Sequence, residues 1–249
     1  MNSITMRFYA QLNDFLPASR RQATLIHSFN GTPAVKDVIE SLGVPHPEVG
    51  LILIDGYPVD FSQRLRGGER VSVYPVFHSL EIEKTCRVLP QPQPVGKFAL
   101  DTHLGKLASY LRMLGFDAFY RNQMDDEELA ALAKAEHRIV LTRDRGLLKR
   151  NLIEYGYCLR SVEPIEQLAE VLNRYDLKSS ICPFTRCMSC NAMIIPVAKE
   201  EVWDTLPPKV QELCHEFHRC SGCGRVYWAG THHRRMLELI NRIQMQPNP

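Results

Sequence analysis

Apolar and polar positions alternate through Ile4-Thr5-Met6-Arg7-Phe8-Tyr9, the period of a half-buried strand, and Thr24-Leu25-Ile26 begins a partner for it. The period then changes. Val35, Val38, Ile39 and Leu42 recur at helical spacing between Ala34 and Leu42, predicting a helix that Gly43 caps. Leu51-Ile52-Leu53-Ile54 before Asp55-Gly56 predicts a buried strand entering a tight turn, and Arg70–Pro75 alternates as a last strand. Two strands, a helix and two strands predict an α+β roll over residues 1–80.

Pro90-Gln-Pro-Gln-Pro94 has no apolar surface to bury and predicts a stiff linker within residues 81–95. From 96 to 176 strand and helix patterns take turns. Lys97–Leu100 predicts a strand, followed by a helix with Leu104, Leu107, Ala108, Leu111 and Leu114 on one face and Gly115 at its end. A strand over Phe116–Tyr120, a helix over Glu127–Glu136 and a strand over Arg138–Thr142 come next. A short helix over Gly146–Asn151 and a strand over Tyr157–Arg160 lead to a helix opened by Pro164, with Ile165, Leu168, Ala169 and Leu172 facing inward. Such alternation predicts an α/β domain with a parallel sheet wrapped by helices.

Composition adds bounds. The 249 residues are 45% hydrophobic and 23% charged, a globular balance rather than a disordered one. Thirty Lys/Arg against 28 Asp/Glu leave +2, which excludes a uniformly basic nucleic-acid binder. The balance is uneven along the chain: seven against seven over 1–80, 12 against 13 over 96–176, and nine against six over 177–249. No stretch approaches the ~18 apolar residues of a membrane helix. The start, MNSITMRFYAQLNDF, lacks a basic segment and apolar run for export, so a cytoplasmic location is expected.

Six of the eight cysteines fall between 182 and 223, among them two C-x-x-C knuckles, Cys187-Met-Ser-Cys190 and Cys220-Ser-Gly-Cys223. Each knuckle sets two thiolates on one face of a tetrahedral ion, and two knuckles complete a closed four-cysteine zinc site, structural because no coordination position stays open. Gly222, Gly224 and Asn191 suit the tight turns of the knuckles. Residues of about 196–215, with Pro196, Pro207 and Pro208, are expected to loop out between them. Cys182 and Cys214 are expected to be bystanders.

Asp101 directly follows the first strand of the α/β pattern, Asp144 follows the third, and Asp126 stands where the intervening helix begins, beside Asp125, Glu127 and Glu128. Ligands of open α/β sheets bind beyond the carboxyl ends of strands. Clustered carboxylates there suit Mg²⁺ or Mn²⁺, which activate water for phosphodiester hydrolysis. Each aspartate also suits a helix N-cap. Arg143, Arg145, Lys149 and Arg150 give +3 over eight residues once Asp144 is counted, and Lys106 and Arg112 add to a basic rim fit for a phosphate backbone. Tyr227 and Trp228 beside His232-His233-Arg234-Arg235 offer stacking to single-stranded nucleic acid, or else pack within their own module.

Leu100-Asp-Thr-His-Leu-Gly-Lys-Leu-Ala-Ser-Tyr-Leu-Arg-Met-Leu-Gly-Phe-Asp117, Arg138-Ile-Val-Leu-Thr-Arg-Asp144, Arg186-Cys-Met-Ser-Cys-Asn191 and Cys220-Ser-Gly-Cys-Gly-Arg-Val-Tyr-Trp228 resemble the Mut-seven C-terminal RNase family, a branch of the PIN-like nucleases with an inserted zinc ribbon. Val35-Lys-Asp-Val-Ile-Glu-Ser-Leu-Gly43 and Gly67-Gly-Glu-Arg-Val-Ser-Val-Tyr-Pro75 resemble the ubiquitin-like domain often fused before it, itself similar to small sulfur carriers. The resemblance implies a ubiquitin-like roll (1–80), a PIN-like nuclease domain (96–176), and a zinc ribbon with a C-terminal helix (177–249). It implies a metal-dependent ribonuclease with Asp101, Asp126 and Asp144 as its acidic set, where Asp125 or Glu128 can replace Asp126.

Single-stranded RNA is then the expected substrate, with Asp101 and Asp144 on Mg²⁺ or Mn²⁺ and Lys106, Arg112, Arg143 and Arg145 on the backbone. An RNA-binding or scaffolding protein with a silent centre is the alternative. A third reading keeps the chain in sulfur or cofactor metabolism, but Gly67-Gly68 is internal, unlike the free carboxyl-terminal Gly-Gly of a sulfur carrier. Residues 1–80 are therefore expected to be a module for a protein partner.

Overall fold

The computed structural model describes residues 1–76, 88 and 96–245, so the expected linker, with Cys86, lies outside the described residues. Along the chain run β1 (Asn2–Phe8), β2 (Leu25–Phe29), α1 (Val35–Ser41), β3 (Val49–Ile54), β4 (Tyr57–Val59), β5 (Arg70–Pro75), β6 (Lys97–Leu100), α2 (Gly105–Met113) and β7 (Asp117–Tyr120). They continue with α3 (Asp126–Ala135), β8 (Ile139–Thr142), α4 (Arg145–Leu148), β9 (Gly156–Cys158) and α5 (Pro164–Arg174). The last are β10 (Ile194–Val197), α6 (Lys199–Val202), α7 (Pro208–Leu213), β11 (Phe217–Cys220), β12 (Val226–Trp228) and α8 (Thr231–Met245). Contacts divide these into two compact units, Met1–Pro94 with Met124–Leu159, and Val95–Gln123 with Arg160–Pro249.

In the first unit, the roll is a five-stranded sheet in the order β2-β1-β5-β3-β4. Its central pair, β1 and β5, runs parallel with Met6 opposite Val71, and its other pairings are antiparallel. The alternation of β1 buries Ile4, Met6 and Phe8 on one face, and Val35, Val38 and Ile39 of α1 are buried with them. Asp55 and Gly56 turn between β3 and β4 with φ of 51° and 91°, as the Asp-Gly pair predicts. Three-residue β4 is an addition to the expected strands. The same unit carries α3, β8, α4 and β9, with β8 and β9 parallel and Val140 opposite Gly156. All four residues of β8 are buried, which matches a strand covered on both faces.

In the second unit, β6 and β7 are parallel, with Phe98 opposite Ala118. Leu104, Leu107, Ala108, Leu111 and Leu114 are all buried, as the spacing predicts. On α5, Leu168, Val171 and Leu172 are buried, but Ile165 is 38% exposed, a correction to the expected inner face. The buried face is instead turned toward Gln167, which is buried with Leu168, Val171 and Leu172 and donates to the Ser161 carbonyl at 3.0 Å. The cysteine-bearing segment forms an antiparallel sheet, β10-β11-β12. The stretch expected to loop out is instead ordered: Pro196 sits in edge strand β10 opposite His218, and α6 and α7 follow. Val202, Leu206 and Phe217 form a small core there, with Trp228 packed against it.

Candidate metal centre and acidic residues

Cys187, Cys190, Cys220 and Cys223 bring their four Sγ atoms within 4.8 Å of one another. Cys187 and Cys223 are 3.7 Å apart, and Cys190 and Cys220 3.3 Å. A tetrahedral ion with ~2.3 Å bonds to sulfur sets its ligands about 3.8 Å apart, so the donors fit one ion in both kind and spacing. Each knuckle turns on a left-handed residue just after its second cysteine, Asn191 and Gly224, both at φ 72°. Gly222 serves otherwise: a β-carbon there would meet Ala192 Cβ at 2.8 Å and Cys190 Sγ at 3.4 Å. The amides of Gly222 and Cys223 point at Cys220 Sγ, both at 3.4 Å, the bonding that steadies thiolate charge.

Four crowded thiols cannot all ionise without a cation. Burial pushes the Cys187 thiol up, but the Tyr227 hydroxyl and the amides of Cys190 and Ser189 outweigh it and bring it down to about 6. Burial and the neighbouring sulfurs push Cys190 up to about 12. Burial likewise pushes Cys220 up, but the amides of Cys223 and Gly222 and the Cys190 thiol outweigh it and lower it, and Tyr227 donates to Cys187 at 3.0 Å. Burial and then Cys187 raise the tyrosine in turn. Of the two alternatives for Tyr227 and Trp228, packing within their own module has the support of the structure: both are half-buried, and Trp228 packs against the small core.

The first knuckle is tied to β7 and α2 of its own unit. Asn191 accepts from the Ala118 amide at 3.1 Å and donates to Asp117 at 2.8 Å, while Arg186 lies 3.4 Å from the same carboxylate. Arg112, 4% exposed, donates to the carbonyls of Ala118 (2.8 Å), Met188 (3.2 Å) and Ser189 (2.9 Å). That corrects its expected place on an RNA-binding rim, since the side chain is buried and Nε and Nη1 bond backbone inside the protein.

The acidic residues hold different posts. Asp101 follows β6 and accepts from the Thr102 amide at 2.6 Å and hydroxyl at 3.2 Å. It does not cap α2, whose N-cap is Leu104. Asp125, not Asp126, caps α3, accepting from the Glu128 amide at 2.8 Å. Asp126 lies in the first turn, 3.6 Å from Arg150. Asp144, exposed after β8, caps α4 by accepting from the Gly146 amide at 2.6 Å, and its own amide donates to Thr142 Oγ1 at 2.9 Å.

Of the remaining basic residues, Lys106 is exposed, its Nζ 5.1 Å from the centre of the Tyr110 ring, and Arg143 is exposed. Arg145 is turned away from the expected rim: it donates to the carbonyls of Phe15 (3.0 Å) and Asp14 (3.3 Å) and lies over the Phe15 ring at 5.1 Å. No helix among the described residues is long and apolar enough to cross a membrane. Sequence reasoning missed Asn191 and Asp117 as anchors of the knuckle; the Asn after Cys190 was legible as a turn residue, but its side-chain partners were not.

A family profile described as the Mut7-C RNAse domain matches residues 96–240, and one described as the Mut7-C ubiquitin matches residues 1–81. A solved structure, the crystal structure of H. volcanii small archaeal modifier protein 1, is similar at 15% identity and a TM-score of 0.26. The likeness covers 31% of this chain and 100% of that one. No curated protein matches the chain.

Proposed function

The chain belongs to the Mut7-C RNAse domain family, and from that premise we propose that it is a metal-dependent ribonuclease of PIN-like fold that hydrolyses single-stranded RNA. Family membership carries the reading; the chemistry of the acidic residues supports it. Asp101 directly follows β6 and Asp144 stands two residues beyond β8, each past the carboxyl end of a parallel strand. Hard carboxylate oxygens suit Mg²⁺ or Mn²⁺, and Asp101 and Asp144 would hold the ion. When bound, such an ion lowers the pKa of water and stabilises charge on the scissile phosphate.

The protein's own groups do the rest. Asp126 completes the acidic set and orients the attacking water, while Asp125 fixes the helix start that presents it. Lys106 and Arg143 steady the RNA backbone. Zinc in the four-cysteine centre holds the ribbon and, through Arg112 and Asn191, the edge of β7. The reading places the enzyme in the cytoplasm, where thiolates remain available for zinc.

The test is hydrolysis of a structured RNA with single-stranded tails by the purified chain in Mn²⁺, beside Asp101→Asn and Asp144→Asn. Turnover in the parent lost from both variants is expected. Equal turnover in all three sinks the assignment. Salt-sensitive RNA binding with no turnover in any would favour the scaffolding alternative.

A further inference from the structure

Asp144 sits at the start of a helix of four residues, Arg145–Leu148. So short a helix has no stability of its own, so the position of Asp144 is set by whatever grips α4 from outside. Leu147 and Leu148 are fully buried beneath it. Its two ends are held by the N-terminal roll. Arg145 reaches the carbonyls of Asp14 and Phe15, at the end of the 3₁₀ turn Ala10–Phe15. Lys149, just past the other end, donates to the Glu40 carbonyl in the last turn of α1 at 2.7 Å. The carboxyl ends of helical turns favour cations, so two such ends of the roll meet the two cations that bracket α4.

The grip continues beyond α4. His46, 4% exposed, bridges the Glu40 carboxylate and the Ile153 carbonyl, both at 2.7 Å. Glu48, fully buried, accepts from the Cys158 amide of β9 at 2.7 Å. With Lys36, which donates to Asn151 Oδ1 at 2.8 Å, five side-chain ties join residues 14–48 to residues 145–158, and four of the five end on backbone, fixing chain position rather than one rotamer.

We propose that the roll is a resident positioning module for Asp144, with Arg145 and Glu48 as positioning residues, and that its partner is the nuclease segment of its own chain. The proposal rests on the ribonuclease reading for Asp144. It gives the N-terminal domain a task that a carrier or a free interaction module would not have. It also explains why Arg145, beside Asp144, bonds carbonyls of the roll.

The test uses the full chain and RNA hydrolysis in Mn²⁺. Arg145→Met should lower kcat at least tenfold while KM changes less than twofold and the salt dependence of binding stays the same, with partial rescue by Arg145→Lys. Glu48→Ala, at a position too buried to touch RNA, should also lower kcat, and Glu48→Gln, which keeps an acceptor, should restore it. A rise in KM at constant kcat, with a salt slope smaller by about one, would make Arg145 a phosphate contact and overturn the proposal. Hydrogen exchange reads the same tie without turnover. Arg145→Met should speed exchange of amides 144–150 at least tenfold and leave 97–120 unchanged. Unchanged exchange at 144–150 overturns the proposal. Faster exchange in a chain whose parent shows no turnover supports the tie and counts against the ribonuclease reading alone. Should Arg145→Met fail to fold, Arg145→Lys gives both readouts.

Discussion

The Tyr227 hydroxyl lies 3.0 Å from Cys187 Sγ, so one side chain of β12 donates to a sulfur of the four-cysteine cluster and helps hold its thiol below the usual range. Hydrogen bonds to metal ligands set ligand orientation and basicity, and their loss commonly costs ~10–100-fold in metal affinity. Tyr227→Phe removes the donor and keeps the ring. Zinc affinity measured by chelator competition should fall within that range while the folded chain still holds about one zinc. Affinity equal to the parent's would mean that the hydroxyl does nothing for the site.

Arg112 joins α2 to the backbone of the first knuckle. Burial lowers its pKa, with the Cys187 and Cys190 thiols next and opposing. The cation still has three carbonyl acceptors around it. Arg112→Met would leave the buried Ala118 carbonyl without this donor, at about 1–3 kcal/mol for a group that water cannot reach. Denaturant unfolding should show a loss in this range, together with weaker zinc retention. RNA affinity and its salt slope should not move in the folded fraction, and a smaller slope would return Arg112 to the substrate surface.

The roll was legible because Ile4, Met6 and Phe8 share one face at a period of two, and the buried face of α2 because its leucines recur at helical spacing. The four cysteines were legible from spacing alone, since a C-x-x-C pair fixes local geometry whatever its surroundings. What failed was the reading of charge. Arg112, Arg143 and Arg145 look alike in sequence, yet Arg112 is buried, and Arg112 and Arg145 both end on carbonyls of distant segments. Pro196, Pro207 and Pro208 suggested a loop, but one occupies an edge strand and the other two the start of α7, where a missing N–H costs nothing.

Gly115 closes α2 at φ 94°, and a β-carbon there would lie 2.2 Å from the Cys182 carbonyl oxygen. That carbonyl cannot easily withdraw, because the Cys182 amide donates to the Leu114 carbonyl at 2.9 Å. Gly115→Ala therefore combines an unfavourable backbone conformation with a backbone collision, and should cost more than ~1 kcal/mol. The midpoint of thermal unfolding should fall. A Gly115→Ala chain as stable as the parent would show that residues 182–185 shift freely.

Glu69 holds the turn of the internal Gly67-Gly68 pair, accepting from the amides of Arg66 at 2.6 Å and Gly67 at 2.7 Å. Burial pushes its carboxyl up, but the amides of Arg66, Glu69 and Gly67 together outweigh it and hold it below the usual 4.5. A carboxyl lowered by folding contributes stability that is fully present above its unfolded pKa and is lost as pH falls through the lower folded value. The contribution of Glu69 should thus be constant above about pH 6 and decline in the acid range below the unfolded value of 4.5. Glu69→Gln keeps one acceptor without the charge, so its destabilisation relative to the parent should be largest near neutral pH and shrink toward pH ~3. Denaturant midpoints of both chains across that range measure the difference. A gap that widens on acidification would reverse the sign and remove Glu69 as the charged anchor of the turn.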